Sequence, residues 1–376
     1  MLVSVIVPVR NEAAHIRQTL LDLAAQDFPK SEYEILVVDG LSNDGTAAIV
    51  REYCQSIPNL RMFHNPRRLA SAARNVGVRY ARGEYLVIVD GHCRVPNRDL
   101  LANMVDAFQS SGADTLGRPQ PLRGNEPTPF QRAVAAARTS WLGHNPESHI
   151  YSDVAAFVPA DNVAVAYRRD VFDLMGGFDE SFDACEDVEF NTRVRQVGLT
   201  CCFTPAVAVE YQPRSTIRGF FRQMTRYGRG RARLGFKHPS TITAPSLIPS
   251  LWLVFLAIGG VAGLFVPPIA IGIAIALGTY LLVLLAESLR VWHATRNVAL
   301  ARLVFLLATI HIAFGWGYLC EVAAGLNRGA HRIGRTMFLS KSLVRGRLNS
   351  LSGRPPGLSA LGRPGGLPHE ENTLPE

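Results

Sequence analysis

Between Ser246 and Ala286 the chain carries no charged residue. The two halves of this stretch, Ser246–Val266 and Pro267–Ala286, are each about 20 residues long, which is what an α-helix needs to cross a hydrocarbon core about 30 Å thick. Length and lack of charge predict two membrane-crossing helices, with Pro267-Pro268 in the turn on the far side of the bilayer. Leu303–Cys320 is a third candidate, interrupted only by His311. Three spans would leave the basic stretch Arg328–Arg347 on the opposite side from the N-terminal region, against the tendency of Lys and Arg to stay inside. Either one candidate lies in the interface or is re-entrant, or Leu303–Gly325 is not a simple span.

Charge supports a membrane setting. The net charge is +8, and the Arg-rich stretches Arg214–Lys237 and Arg328–Arg347 flank the apolar region on both sides. That placement favours an anionic lipid surface over nucleic acid. No RNP-like motif, zinc-finger spacing or zipper heptad is present, so no nucleic-acid partner is expected. The six cysteines (Cys54, Cys93, Cys185, Cys201, Cys202, Cys320) form no CxxC pair, as expected of free thiols in a reducing compartment. Met1 runs straight into a strand pattern without a charged n-region, so the N-terminal domain is expected in the cytoplasm.

The first hundred residues alternate in type. Val3–Val9 is a β-branched run of the kind that forms a parallel strand buried on both faces. Ala13–Ala25 has helical spacing at Ile16, Leu20 and Leu23. Strands follow at Tyr33–Asp39, Leu60–His64 and Tyr85–Asp90, and helices at Thr46–Gln55, Ala70–Arg82 and Asp99–Phe108. Strand–helix alternation with short links predicts an α/β fold with a mostly parallel, Rossmann-like sheet. Ligands on such sheets bind beyond the carboxyl ends of the strands. After about Ala113 the alternation weakens. Gly117–Thr128 reads as a loop, Phe130–Arg138 and Asp187–Val197 as helices, and Asn162–Tyr167 and Thr200–Phe203 as strands.

The polar residues that follow the strands carry the chemistry. Val7–Glu12 (VPVRNE) ends the first strand. Asp39 ends the second, where it could accept hydrogen bonds from a base or ribose, whereas Asp44 reads as a helix cap. Asn65–Gly77 supplies Arg67, Arg68 and Arg74, cations that could meet phosphates. Asp90 ends the fourth strand and His92 follows across Gly91; a carboxylate and an imidazole suit Mn²⁺ or Mg²⁺ bridging a diphosphate. In Gly176–Phe190 (GGFDESFDACEDVEF), Asp183, Glu186, Asp187 and Glu189 cluster at the start of a helix. Such acids either complement the helix dipole or include a general base for an acceptor hydroxyl. In Phe220–Arg231, Gln223, Arg226 and Tyr227 lie on a basic amphipathic helix expected at the lipid surface.

VSVIVPVRNE, VVDGLSNDGT, ARN, VDGH, GGFDES, CEDVEF and RQMTRY follow one another in the order seen in family 2 glycosyltransferases. Over roughly Leu2–Arg233 the chain resembles that family, above all the bacterial exopolysaccharide members of succinoglycan type with C-terminal membrane helices. The resemblance implies a GT-A fold, a nucleotide-diphosphate sugar donor, a divalent metal (Mg or Mn) and inversion at the anomeric carbon. It implies that Pro8, Arg10, Glu12, Asp39, Arg74, Asn75 and Asp90 border the donor, and that Asp90 and His92 hold the metal. His92 stands where the second Asp of the DxD motif is usual. Asp187 matches the catalytic base of the Glu-Asp pair. Glu186, Gln223, Arg226 and Tyr227 fall in the acceptor and diphosphate region, the last three resembling the QxxRW motif with Tyr for Trp, which leaves processivity open.

The expected organisation is a GT-A domain over 1–235, a membrane region of two or three helices over 236–327, and a tail over 328–376 that is basic and then Gly/Pro-rich. The expected activity is transfer of a sugar to a hydroxyl of a lipid-linked or polysaccharide acceptor in cell-envelope synthesis, by a multi-pass inner-membrane protein whose partners include membrane lipid. Alternatives are a polyprenyl-phosphate glycosyltransferase, a nucleotidyltransferase, for which a Gly-rich N-terminal phosphate loop is missing, and a catalytically inert membrane scaffold.

Overall fold

The structure is a computed structural model. It describes residues 1–123, 126–144, 148–296 and 298–351, without the side chains of 162 and 327–351. The chain divides into a compact unit, Met1–Ala323, and the remainder, Ala324–Glu376.

The core is an eight-stranded sheet. β1 (Val3–Val9) lies between β2 (Tyr33–Asp39) and β4 (Tyr85–Ile88), with β3 (Leu60–His64) outside β2, all parallel. β1 and β2 are mostly apolar because both faces are covered; the buried exceptions Ser4 and Glu34 hydrogen-bond to each other across the pair. Below and above them pack α1 (Ile16–Ala24), α2 (Thr46–Ser56), α3 (Ala70–Tyr80) and, further along, α4 (Leu100–Ser111). Ile16, Leu20 and Leu23 form the buried stripe of α1 at the spacing expected.

Past β4 the sheet changes character. β5 (Cys93–Arg94) turns out of it, and the next neighbour of β4 is β8 (Ala164–Arg168), antiparallel. β6 (Thr115–Gly117) pairs antiparallel with β8 and parallel with β9 (Cys201–Phe203), and β7 (Ala156–Phe157) closes the edge. The strand order is β3-β2-β1-β4-β8-β6-β9-β7. The sheet is thus parallel where the sequence alternation is clear and mixed beyond it. On this second half lie α6 (Arg169–Met175) and α7 (Glu186–Gln196), whereas α5 (Pro129–Arg138) packs with the helices that follow the sheet. β10 (Glu210–Tyr211) returns to pair with β5, bringing Tyr211 opposite Cys93.

The long amphipathic α8 (Ile217–Lys237) starts from a Thr216 cap whose hydroxyl accepts from Gly219 N. Then come α9 (Ala244–Gly263), α10 (Pro267–Thr295) and α11 (Leu300–Leu351). α9, α10 and the Leu300–Leu326 part of α11 are each long and apolar enough to cross a membrane. Pro267 starts α10 after a short turn, as its fixed φ and missing N–H favour. The Gly/Pro-rich segment beyond 351 lies outside the described residues.

Candidate active site

The loops after β1, β2 and β3 and the segment that leads into α7 each contain a residue that is not glycine yet adopts left-handed backbone angles. These are Asn11, Leu41, Arg68 and Cys185, with φ of 57°, 57°, 60° and 61°. Such conformations cost of order 1–3 kcal/mol each and persist where surroundings enforce them, commonly at functional sites.

The loops after β1 and β2 are laced together. Asn11 N donates to Ser42 Oγ (2.9 Å), Glu12 N to Thr46 Oγ1 (2.8 Å), Asn43 N to Asn11 Oδ1 (2.9 Å) and Ala13 N to Asp44 Oδ2 (3.0 Å). Asp39, buried at the end of β2, accepts from Ser42 Oγ at 2.5 Å and from Ser42 N. Pro8 sits in β1 opposite Val38. Arg10 is exposed beside this cleft and donates to Arg68 O at 3.2 Å.

Asp90 follows β4 and is the electrostatic centre of the site. Tyr211 OH donates to its Oδ2 at 2.8 Å, and Arg74 Nη2 stands 3.7 Å from its Oδ1. Burial alone would raise its pKa, but Arg74, His92 and Tyr211 outweigh burial and hold it below the usual carboxylate range. Gly91 is needed between the two candidate ligands, because a Cβ there would lie 2.5 Å from Val9 Cγ1. His92 Nδ1 lies 3.1 Å from Glu12 Oε1. Burial disfavours its charged form, yet Glu12 and Asp90 raise its pKa overall.

Glu186 opens α7 and is buried, 3.2 Å from Arg74 Nη1. Its pKa is raised, chiefly by burial and by Asp187 and Asp90, against the pull of Arg74. Asp187 next to it is only half-buried, with Oδ1 accepting from Val188 N at 2.8 Å, and it lies within electrostatic reach of Arg74. One buried guanidinium therefore joins the end of β4 to the start of α7. Asn75, its neighbour on α3, is used differently. Its amide donates to Phe178 O (2.9 Å) and Glu180 Oε1 (2.8 Å) and accepts from Phe178 N (2.7 Å), pinning the loop before α7.

The α8 motif borders this loop. Arg226 Nη2 donates to Asp183 O. Gln223 Nε2 donates to Tyr227 OH at 3.1 Å, and the Tyr227 ring lies 5.5 Å from the buried Arg138 guanidinium.

Two residues escaped the sequence reading. Tyr211 belongs to a two-residue strand with no periodicity to find. Arg118, 1% exposed, gives Nη2 to Ile88 O at 2.8 Å, while its Nε and Nη1 are buried without partners. It faces Asp90 and Tyr211 electrostatically. Unmade donors on a buried guanidinium are costly, which sets this spot apart from ordinary core.

Among known proteins, the succinoglycan biosynthesis protein ExoA of Rhizobium meliloti is 30% identical over 281 residues, which is 74% of this chain and 79% of that protein. The glycosyl transferase family 2 profile matches residues 4–173. The chain belongs to glycosyl transferase family 2. The glycosyltransferase AglE of Haloferax volcanii is 29% identical over 62% of this chain and 73% of its own length. The mannosyltransferase PcManGT from Pyrobaculum calidifontis, solved with GDP-Man and Mn²⁺, superposes with a TM-score of 0.53 at 23% identity, covering 85% of this chain and 86% of that one. At that identity the likeness concerns the fold, which is GT-A. Family membership makes this chain a transferase and sets aside the scaffold and nucleotidyltransferase alternatives.

The divalent metal that the resemblance implies has candidate ligands here. Among the described residues no group of three or more His, Cys, Asp and Glu converges. Asp90 and His92 offer one carboxylate and one imidazole. A hard cation that keeps waters and takes phosphate oxygens from its substrate needs only one or two protein ligands. With Nδ1 donating to Glu12, His92 keeps Nε2 for a ligand, the arrangement in which an outer carboxylate orients a coordinating imidazole. The residues present fit the group.

Proposed function

We propose that this chain transfers a sugar from a nucleotide-diphosphate donor to an acceptor hydroxyl on a lipid-linked or polysaccharide glycan, in exopolysaccharide or cell-envelope synthesis, with its catalytic unit on the cytoplasmic face of the inner membrane. The observation that carries this reading is the Arg74 bridge, which brings the candidate donor acid Asp90 and the acid pair Glu186–Asp187 into one cluster at the strand ends. The name of the Rhizobium relative supports the glycan class, and the apolar helices that follow the domain support an acceptor at the membrane.

Asp39 and the laced loops after β1 and β2 form the wall suited to base and ribose, with Pro8, Arg10 and Glu12 on its rim. A divalent cation held at Asp90 and His92 would neutralise charge on the diphosphate. Asp187, half-buried and adjacent to Glu186, takes the acceptor proton as the hydroxyl attacks opposite the leaving diphosphate. Arg74 keeps the neighbouring acids from repelling one another, and Arg226 beside Asp183 supplies a cation on the acceptor side.

The test is Asp187→Asn in detergent-purified chain, supplied with a panel of nucleotide-sugars and a lipid extract. Release of nucleoside diphosphate should fall by roughly 10²–10⁴-fold while donor binding, followed by calorimetry, survives. Asp90→Ala should instead abolish the dependence of donor binding on Mn²⁺. Transfer by Asp187→Asn at near wild-type rate would sink the base assignment and favour a phosphate nucleophile, which needs little help from a base.

A further inference from the structure

Three helices are apolar enough to cross a bilayer, but only two are surrounded as spans are. In the most apolar 18-residue stretch of α9 and of α10, 6% of residues are buried in protein, against 50% in α11. The first two pack on each other and leave most of their remaining side chains exposed, whereas half of the apolar stretch of α11 is buried against α5, α8 and the near ends of α9 and α10.

The grip is tightest where α11 crosses α8. A Cβ on Gly228 would lie 2.0 Å from Phe314 O, and one on Gly317 would lie 2.1 Å from Thr225 O, so the two backbones touch. Further along, Arg233 Nε and Nη2 reach the carboxylate of buried Glu321 at 3.2 and 3.1 Å. Nearer its start, Leu303, Leu306 and Ile310 join one apolar cluster with Ala133 and Val134 of α5 and Phe220 and Met224 of α8. His311 Nε2 approaches Leu142 O at 2.9 Å.

α8 is also the cationic helix, with Arg218, Arg222, Arg226 and Arg229 exposed around the crossing. Residues 314–317 lie well inside the apolar run of α11. If that run crossed the bilayer, it would draw these guanidinium groups into hydrocarbon, where charge is tolerated only facing protein or a water-filled cavity. An in-plane α11 meets no such conflict. Its outward side chains Phe305, Ile312 and Trp316, 56%, 45% and 55% exposed, recur at seven and four residues and so share one helix face. A single apolar stripe with a tryptophan, flanked by arginines, suits a helix lying at headgroup depth.

We propose that α9 and α10 alone cross the bilayer, and that α11 over residues 300–323 lies in the membrane interface beside α8, its partner being the lipid headgroup layer. The inference rests on reading α9–α10 as a spanning hairpin and is independent of which sugar is moved. It removes the conflict between three spans and the positive-inside tendency: both ends of the segment face the compartment of the catalytic unit.

The test uses full-length chain expressed in a bacterial inner membrane with one added cysteine at a time: Leu264→Cys at the hairpin turn, Ala299→Cys before α11 and Ala323→Cys after it. A membrane-impermeant maleimide is applied to spheroplasts and to inverted vesicles, and labelling is measured above that of the unaltered chain. Leu264→Cys should react only in spheroplasts, and the other two only in inverted vesicles. If Leu264→Cys reacts from the same side as Ala299→Cys, the hairpin reading itself fails. If the hairpin holds but Ala323→Cys reacts in spheroplasts, α11 spans and the inference is overturned. A nitroxide on Ile312→Cys should show headgroup depth by its relative collisions with oxygen and a nickel chelate; a label at the bilayer centre would equally overturn it.

Discussion

Replacing Arg74 with methionine removes a guanidinium that two candidate site acids share. Arg74 is 8% exposed and Glu186 is 6% exposed, 3.2 Å apart, with Asp90 at 3.7 Å. Removing one partner of a buried ion pair costs about 3–5 kcal/mol, since the remaining charge is left uncompensated. Glu186 can relieve part of this by taking a proton, so the lower end, about 3 kcal/mol, is expected. At about 2 °C per kcal/mol for a domain of this size, the midpoint of thermal unfolding should fall by roughly 6 °C. The decisive measurement is a double-mutant cycle with Glu186→Gln, followed by tryptophan fluorescence on detergent-purified protein. The double variant should recover much of the loss, with a coupling of about 1–3 kcal/mol. Additive effects, or a midpoint unmoved by Arg74→Met, would show that the bridge does not hold the site together.

Other expectations follow from contacts away from the acids. Gly228→Ala sets a methyl against the Phe314 carbonyl and should destabilise by at least the 1–3 kcal/mol (about) typical of overpacking, whereas Gly260→Ala on α9, with nothing within 4 Å, should be neutral or gain up to about 1 kcal/mol; equal midpoints for the two would refute the close crossing. Asp179 gains in the fold: burial would raise its pKa, but hydrogen bonds from Lys237 and Ser181 bring it down to about 2. A depressed folded pKa means stability present above the unfolded value of about 3.9 and lost as pH falls through the folded value. The stability difference between wild type and Asp179→Asn should therefore be constant above about pH 4 and shrink towards pH 2; a difference that grows on acidification would refute the pairing.

The parallel half of the sheet was legible because β1, β2 and β4 are buried on both faces, so most of their residues are apolar without alternation. The strand ends followed, and with them Asp39 and Asp90, while Glu186 and Asp187 showed as acids in the first turn of a helix. The mixed half was only partly legible: β5, β7 and β10 are two residues long, and the insertion of β8 beside β4 depends on long-range packing. Tyr211 was hidden for that reason. Arg74 was legible as a cation but not as a buried one, since an arginine on a helix ordinarily points to water. Its burial follows from the acids around it, a fact of the fold rather than of local spacing. The apolar length of α11 was visible, while its one-sidedness needed Gly228 and Gly317 to be seen meeting the opposing backbones.

Those two glycines bear on how the enzyme can be handled. A fragment cut after residue 235 keeps every strand and every candidate site residue, yet strips α8 of its covering helix. Phe220 and Met224 would then lose the Leu303–Ile310 side of their cluster, and Arg233 would lose Glu321. The domain with the candidate site residues is completed by packing from the apolar helices, so a fragment that keeps α8 covered must also keep the start of α11.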